Sequence, residues 1–328
     1  MLRVENTTGG KVRCWEGDLW LSGKIVLCAR NKKIDMRRSL LWLVTVLILT
    51  GCSQLDSIPY SPRQTPETWL SIQPFIEFQI GSRTMLLVQP TTTVIVYFLG
   101  LIAICSGLYF LRIRNTQRAR LWWGIALLLW GGGALFAGTS YEAFSYQIKC
   151  AGREACIWTS WWEICYLILS VASVDAMLVA EAYSSAAGKW RKILSLYAFI
   201  HIAFYATTVV IGAIVPIKFL ISFEWLILVA APNIVIFLIL NGWRTYKLRQ
   251  EKELVLLGAW VWLVLTIGAY FLYLTSGLAQ RLWARGIWFS ENDVLHIGLI
   301  IWMVYLALVV AKRIEDEPDK ILVRHFNP

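Results

Sequence analysis

Charged residues are scarce in this chain, and their scarcity excludes a soluble protein. They make up 16% of the 328 residues, whereas soluble domains carry about 25%. Hydrophobic residues make up 58% of the chain, and the mean hydropathy is +0.58. An apolar excess of this size cannot be buried in one soluble core, so the composition predicts a membrane protein.

The sequence also lacks the motifs of soluble catalytic domains. It contains no Walker loop, no GxGxxG, no HExxH and no GxSxG, so it indicates no particular cofactor. Its net charge of +10 does not indicate a nucleic-acid partner. The basic residues lie in short loops between apolar runs, where orientation in the bilayer explains them. Membrane lipid is therefore the partner that the composition predicts.

The segment Met36–Cys52, which begins with the positive charges of Arg37 and Arg38, resembles a bacterial lipoprotein signal peptide. Its apolar core, Leu40–Leu49, is too short to span about 30 Å of hydrocarbon at roughly 1.5 Å per residue. The tetrapeptide Leu49–Cys52 resembles a lipobox, which implies lipidation at Cys52. The alternative is an uncleaved anchor with an incidental cysteine. Residues 1–35 fit neither interpretation. We interpret them as an extension that is not translated, with the true start at Met36.

Seven longer apolar runs predict an all-α, polytopic membrane protein built as a seven-helix transmembrane bundle over residues 93–311. Their continuous apolarity favours helices, because barrel strands would alternate polar and apolar residues. The predicted spans are Thr93–Leu111, Leu121–Thr139, Trp161–Tyr183, Ile193–Val215, Phe219–Asn241, Leu254–Gly277 and Val294–Ala311.

The predicted signal peptide places the N-terminus outside the cytoplasm. Residues 53–92 then form an extracytoplasmic juxtamembrane segment, and residues 312–328 form a cytoplasmic tail. The predicted cytoplasmic segments carry about twice as many lysines and arginines as the outer ones, which supports this orientation. We expect a multi-pass protein of the bacterial inner membrane, with a possible protein partner bound to its outer segment.

Two cysteines, Cys150 and Cys156, lie in the predicted outer loop between spans two and three. Thiols in that compartment meet oxidising conditions. The two cysteines are six positions apart with a glycine between them, so the chain can close a ring. We therefore predict a disulfide. A zinc knuckle and a pair of free thiols are the alternatives.

Polar residues at membrane depth are the candidates for function, because each is costly there. Asp175, His201 and Asn233 lie at a similar depth in spans three, four and five, toward the cytoplasmic side. An Asp–His pair would offset the free-energy cost of burying each side chain and could pass a proton. An interhelical hydrogen-bonded clasp is the interpretation that we favour over a transport relay.

A second polar layer lies near the outer mouth. Glu142, Glu163, Glu224 and His296 are its candidate catalytic residues, because such a set could bind a divalent cation or polarise water for hydrolysis. The alternative is that acidic groups are favoured at helix N-termini by the macrodipole. That alternative accounts for Glu163 but not for His296 or Glu224.

The topology is similar to that of the CREST group of membrane hydrolases, which includes alkaline ceramidases and the progestin/adipoQ receptors. The shared features are a serine near the end of span two, Ser140, an acid in span three and a histidine at the start of span seven. That family holds zinc with three histidines, and only His296 matches. Phe144 and Asn292 occupy the other two positions, so the resemblance does not imply a zinc site here.

We hypothesise a multi-pass membrane protein of undetermined activity, leaning toward a non-enzymatic sensor, assembly factor or accessory subunit. The alternative is a membrane-embedded hydrolase that acts on a lipid-like substrate at the outer mouth. A proton-coupled transporter that works through Asp175 and His201 is the third hypothesis.

Overall fold

A computed structural model describes residues 2–7, 10–19, 23–30, 54–60 and 62–318. The apolar part of the predicted signal peptide and Cys52 lie outside the described residues. The chain divides into two units, Met1–Thr50 and Gly51–Pro328. In the first unit, three antiparallel strands pair in the order β1-β2-β3, a sheet that the sequence analysis did not predict. They are β1 (Leu2–Thr7), β2 (Gly10–Leu19) and β3 (Gly23–Arg30).

In its described residues, the second unit contains seven helices that are long and apolar enough to cross a bilayer, which confirms the all-α, seven-helix membrane fold. Each has between 23 and 27 residues, and about 20 suffice to cross the hydrocarbon. They are α1 (Pro90–Arg112), α2 (Arg118–Ala143), α3 (Trp161–Ser185), α4 (Gly188–Ile214), α5 (Phe223–Leu248), α6 (Glu251–Ser276) and α7 (Glu291–Arg313).

The start of α5 differs from the prediction, and the difference corrects the depth of Glu224. A 3₁₀ turn, Lys218–Ile221, precedes the helix, and the Ser222 hydroxyl caps it by accepting from the Trp225 backbone N–H at 3.2 Å. Glu224 therefore lies in the first helical turn and is exposed, rather than two turns into the span. The macrodipole accounts for an acid at that position.

Six of the seven helices form a closed ring in the order α1-α2-α3-α5-α6-α7, and α7 returns to α1. Helix α4 lies outside the ring against α3. Helix α3 is the most buried of the seven, with 67% of its apolar segment buried, whereas α4 and α5 each have 17%. The ring therefore lets α3 contact α5 directly, although α4 separates them in the chain.

Glycines allow α1 and α2 to approach closely. A Cβ atom on Gly107 would lie 2.9 Å from the Gly124 carbonyl oxygen, and one on Gly131 would lie 2.9 Å from the Gly100 carbonyl oxygen. Small residues let membrane helices gain dispersion contacts that larger side chains would block. This packing fixes one wall of the ring.

The segment before α1 folds into a short helix, Pro66–Ser71, and a hairpin of β4 (Phe75–Ile80) and β5 (Arg83–Val88). This helix is six residues long. The hairpin was not predicted, because a hairpin this short has little sequence signal. Trp69 from the short helix packs against Cys150 and Cys156, whose sulfur atoms form the predicted disulfide. We call this end of the bundle the disulfide end.

The opposite end is fastened by residues 314–318, which follow α7 and which we call the C-terminal strap. The Asp316 carboxylate accepts from the backbone N–H groups of Arg118 (2.9 Å) and Ala119 (2.8 Å), and so caps α2. The Glu317 carboxylate accepts from Arg244 at 2.8 Å and from Lys252 at 3.1 Å. Five residues thus connect α2, α5 and α6.

Candidate functional site

The six ring helices line a partly open cavity of about 680 Å³. That volume lies within the range of about 300–1,000 Å³ that is typical of small-molecule sites. Its walls are largely apolar side chains, with Met177, Trp260 and Leu263 among the deeper ones. Every ring helix contributes, whereas no residue of α4 lines the cavity among the described residues.

The polar lining residues are concentrated toward the disulfide end. The ionisable ones, tyrosines apart, are Glu142, Lys149 and His296. The other polar or aromatic lining residues there are Tyr60, Trp69, Gln73, Gln89, Tyr141, Tyr166, Tyr270 and Asn292. The cavity is therefore amphiphilic, with a long apolar body and one polar end.

A buried ion pair closes the polar end. The Lys149 ammonium contacts the Glu163 carboxylate, and both side chains are at most 2% exposed. The ammonium also lies 4.7 Å from the centroid of the Tyr141 ring and 3.4 Å from the Tyr60 hydroxyl. Burial alone would lower the pKa of Lys149, but the charge of Glu163 and these hydrogen bonds raise it above its usual value. Lys149 therefore stays charged.

Glu142 reaches the cavity because α2 ends in a π-helical turn, Gly138–Ala143. Such turns re-aim side chains and are frequent at functional sites. A Cβ atom at Gly138 would lie 2.5 Å from Val96, so only glycine permits the close approach of α1 at this turn. The Glu142 side chain is 4% exposed, and its Oε2 atom has no hydrogen-bond partner among the described residues.

His296 and Asn292 lie one turn apart on α7 and both line the cavity, as their spacing predicts. No described residue lies within hydrogen-bond reach of His296 Nδ1, which is buried. The imidazole is therefore available to a ligand or a substrate.

The predicted outer set is only partly brought together. Glu142 and His296 line the cavity, and Glu163 lies behind Lys149 as its ion-pair partner. Glu224 is exposed and does not line it. Within the described ranges, no group of three or more histidine, cysteine or acidic residues is arranged to hold a metal ion.

The other predicted layer is brought together by hydrogen bonds. His201 Nδ1 lies 2.9 Å from each Asp175 carboxylate oxygen, and the Asn233 amide donates to Asp175 Oδ1 at 2.8 Å. His201 Nε2 lies 3.0 Å from the Val229 carbonyl oxygen. These contacts connect the peripheral α4 to α3 and α5 of the ring.

The geometry of this layer fixes its proton content. The Val229 carbonyl only accepts, so His201 Nε2 carries a hydrogen. A second hydrogen must lie between His201 Nδ1 and the Asp175 carboxylate, since two lone pairs would repel at 2.9 Å. The two side chains are therefore an imidazolium with a carboxylate, or two neutral groups, and the layer carries no net charge in either case.

Sequence reasoning missed two parts of the polar architecture. Lys149 lies in the predicted outer loop between spans two and three, and only its position beside Cys150 of the predicted disulfide indicates burial. Glu181, near the end of α3, is the other: it is fully buried and accepts from Trp260 Nε1 at 3.0 Å and from the Ser185 hydroxyl at 3.2 Å. A buried tryptophan N–H supplies the partner that makes this burial tolerable.

Comparison with known proteins identifies the family. Residues 91–315 match a family of unknown function (DUF6962), from the first turn of α1 to just past the end of α7. The match covers more than half of the chain, so the chain belongs to this family. No curated protein and no solved structure matches the chain.

Proposed function

We propose that this member of the DUF6962 family is a non-enzymatic membrane protein, a sensor or accessory subunit, that binds an amphiphilic small molecule between its helices. One observation carries the proposal, the cavity of about 680 Å³ with an apolar body and a polar end. A chain of methylene groups would bury apolar surface against α3, α5 and α6. A head group would meet the polar atoms at the disulfide end.

The test measures how much amphiphile stays bound to the purified protein. Ala134 lines the cavity and is buried, so Ala134→Phe fills space that a ligand would occupy. Ala269→Phe is the matched control, because Ala269 is exposed on α6 and does not line the cavity. We expect wild type and Ala269→Phe to retain about one amphiphile per chain in solvent extracts analysed by mass spectrometry, and Ala134→Phe to lose it. Equal content in all three proteins, or no amphiphile retained or taken up by wild type, would contradict the proposal.

A second candidate function is a hydrolase acting on a lipid-like substrate, and one observation favours it. His296, with a free Nδ1, and Glu142 line the same cavity, as a base and an acid would. The test is turnover of ester and amide lipids by wild type and His296→Ala, with metal content measured in both. Turnover or a stoichiometric metal that the variant loses would favour the hydrolase. If wild type shows neither turnover nor a stoichiometric metal, ligand binding is the better account.

We further propose that the disulfide end faces away from the cytoplasm in a bacterial inner membrane and that Cys52 is lipidated. The oxidised Cys150–Cys156 pair supports this orientation, since disulfides persist outside the cytoplasm. Intact mass of the membrane-purified protein tests the lipidation. A mature chain beginning at Cys52 with added acyl mass is expected, and a chain that retains residues 36–51 would contradict it.

A further inference from the structure

The polar end of the cavity contains one acidic group, Glu142, whose Oε2 atom has no hydrogen-bond partner among the described residues. Of the three ionisable lining residues, His296 has no acidic or basic contact in the described chain, and Lys149 is paired with Glu163. Glu142 has no ion-pair partner within the described residues, although it is 4% exposed. A buried carboxyl group without a partner is costly, so a ligand that supplies one is favoured.

Lys149 does not provide a site for an anionic head group. Its ammonium already contacts the Glu163 carboxylate and the Tyr60 hydroxyl, and the ring of Tyr141 covers it. An anion placed beside it would also meet the two carboxyl groups of Glu142 and Glu163. Repulsion by these groups disfavours a carboxylate or phosphate at this end.

Aromatic rings surround the space next to Glu142. Tyr141 and Tyr166 both line the cavity, with ring centroids 5.9 Å apart, and Tyr270 lines it from α6. Aromatic faces next to negative charge attract cations.

We infer that the ligand has a cationic head, an alkyl ammonium whose N–H groups donate to Glu142 and whose chain fills the apolar body. This inference rests on the proposed function, because it names the head group of the amphiphile bound in the same cavity. Glu142 supplies the charge, and Tyr166 and Tyr270 supply ring faces. The apolar faces of α3, α5 and α6 accept the chain.

The experiment compares three amphiphiles of equal chain length. Dodecylamine, dodecanol and dodecanoic acid are titrated into the full chain in maltoside micelles, and bound stoichiometry is read by native mass spectrometry. The variants are Glu142→Gln, which keeps the shape of the side chain, and Glu154→Gln as the control. Glu154 is an exposed acid at the same end that does not line the cavity. Ala134→Phe reports non-specific partition.

We expect wild type and Glu154→Gln to bind dodecylamine about tenfold or more tightly than dodecanol, because a charge-assisted hydrogen bond is lost with the alcohol. Glu142→Gln should lose that preference, and Ala134→Phe should lose binding of the amine and the alcohol. Dodecanol or dodecanoic acid binding wild type as tightly as the amine would overturn the cationic head group and leave the cavity's binding role intact. Unchanged amine affinity in Glu142→Gln would also overturn it. If none of the three binds wild type, the proposed function itself fails.

Discussion

Lys149 and Glu163 form a buried ion pair, so their contributions to the free energy of unfolding should be strongly coupled. Both side chains are at most 2% exposed, and removing one partner of such a pair costs roughly 3–5 kcal/mol. Three aromatic rings remain around the ammonium, from Tyr60, Trp69 and Tyr141, at 4.7–5.9 Å from their centroids. Because these rings still stabilise the charge, we expect Glu163→Gln to cost about 3 kcal/mol, near the lower end of that range.

The double-mutant cycle separates coupling from loss of packing. Lys149→Met removes the other charge, and the double variant leaves no unpaired ion. We therefore expect the double variant to be more stable than the sum of the single losses predicts, by about 2 kcal/mol or more. The assay is equilibrium unfolding in mixed micelles with a denaturing detergent, followed by circular dichroism.

A control ion pair and the pH dependence of the Lys149 contribution to stability set the conditions of this measurement. The exposed pair of Arg153 and Asp56 has a contact of 3.2 Å with side chains 35% and 47% exposed, so Asp56→Asn should change stability by less than about 1 kcal/mol. The pKa of Lys149 is raised in the folded protein, so its contribution is complete below the usual lysine value of about 10.4 and is lost as pH rises further. Measurements at neutral pH report the full coupling. Additive single and double losses there would refute the reasoning.

Three further predictions concern the bundle, and unfolding of the detergent-solubilised protein checks each. Asp175→Ala should destabilise it by about 1–3 kcal/mol, because the hydrogen bonds to His201 and Asn233 are lost in either protonation state, and no change would remove the clasp as a stabilising element. Gly131→Ala should cost about 1–3 kcal/mol, because the new Cβ would lie 2.9 Å from the Gly100 carbonyl oxygen, whereas Gly242→Ala, with nothing within 4 Å, should cost nothing. Glu317→Gln should cost about 1–3 kcal/mol, because Arg244 and Lys252 lose a shared carboxylate, whereas Glu315→Gln, 68% exposed, should stay within about 0.5 kcal/mol. Equal effects of Gly131→Ala and Gly242→Ala would contradict the packing argument. Equal effects of Glu317→Gln and Glu315→Gln would contradict the role of the C-terminal strap.

The spans could be predicted because the bilayer imposes a length and a polarity that composition alone reveals. The disulfide and the depth of Asp175, His201 and Asn233 follow from the same topology, since counting along a helix fixes the depth of each residue. What counting cannot fix is lateral order. The displacement of α4 from the ring depends on side-chain packing between helices that are distant in the chain.

The candidate site was predicted only where a residue is costly in any arrangement. Glu142 and His296 were recognised because each is polar at depth, and both line the cavity. Lys149 was missed, because a loop lysine has no sequence signal of burial until the segment that carries Trp69 packs over it. Asp316 and Glu317 were likewise assigned only to a cytoplasmic tail, because the sequence does not show that they contact the ends of α2, α5 and α6.

The most direct test of the account is where a bound amphiphile lies. A photoactivatable alkyl ammonium would be crosslinked to the wild-type protein and the labelled peptides identified by mass spectrometry. The account predicts that labels concentrate on α3 and α6 at cavity-lining positions, such as Met177 and Leu263, and are competed away by dodecylamine. Labels confined to exposed positions that do not line the cavity, such as Leu254 and Leu272, and unaffected by the competitor, would contradict it.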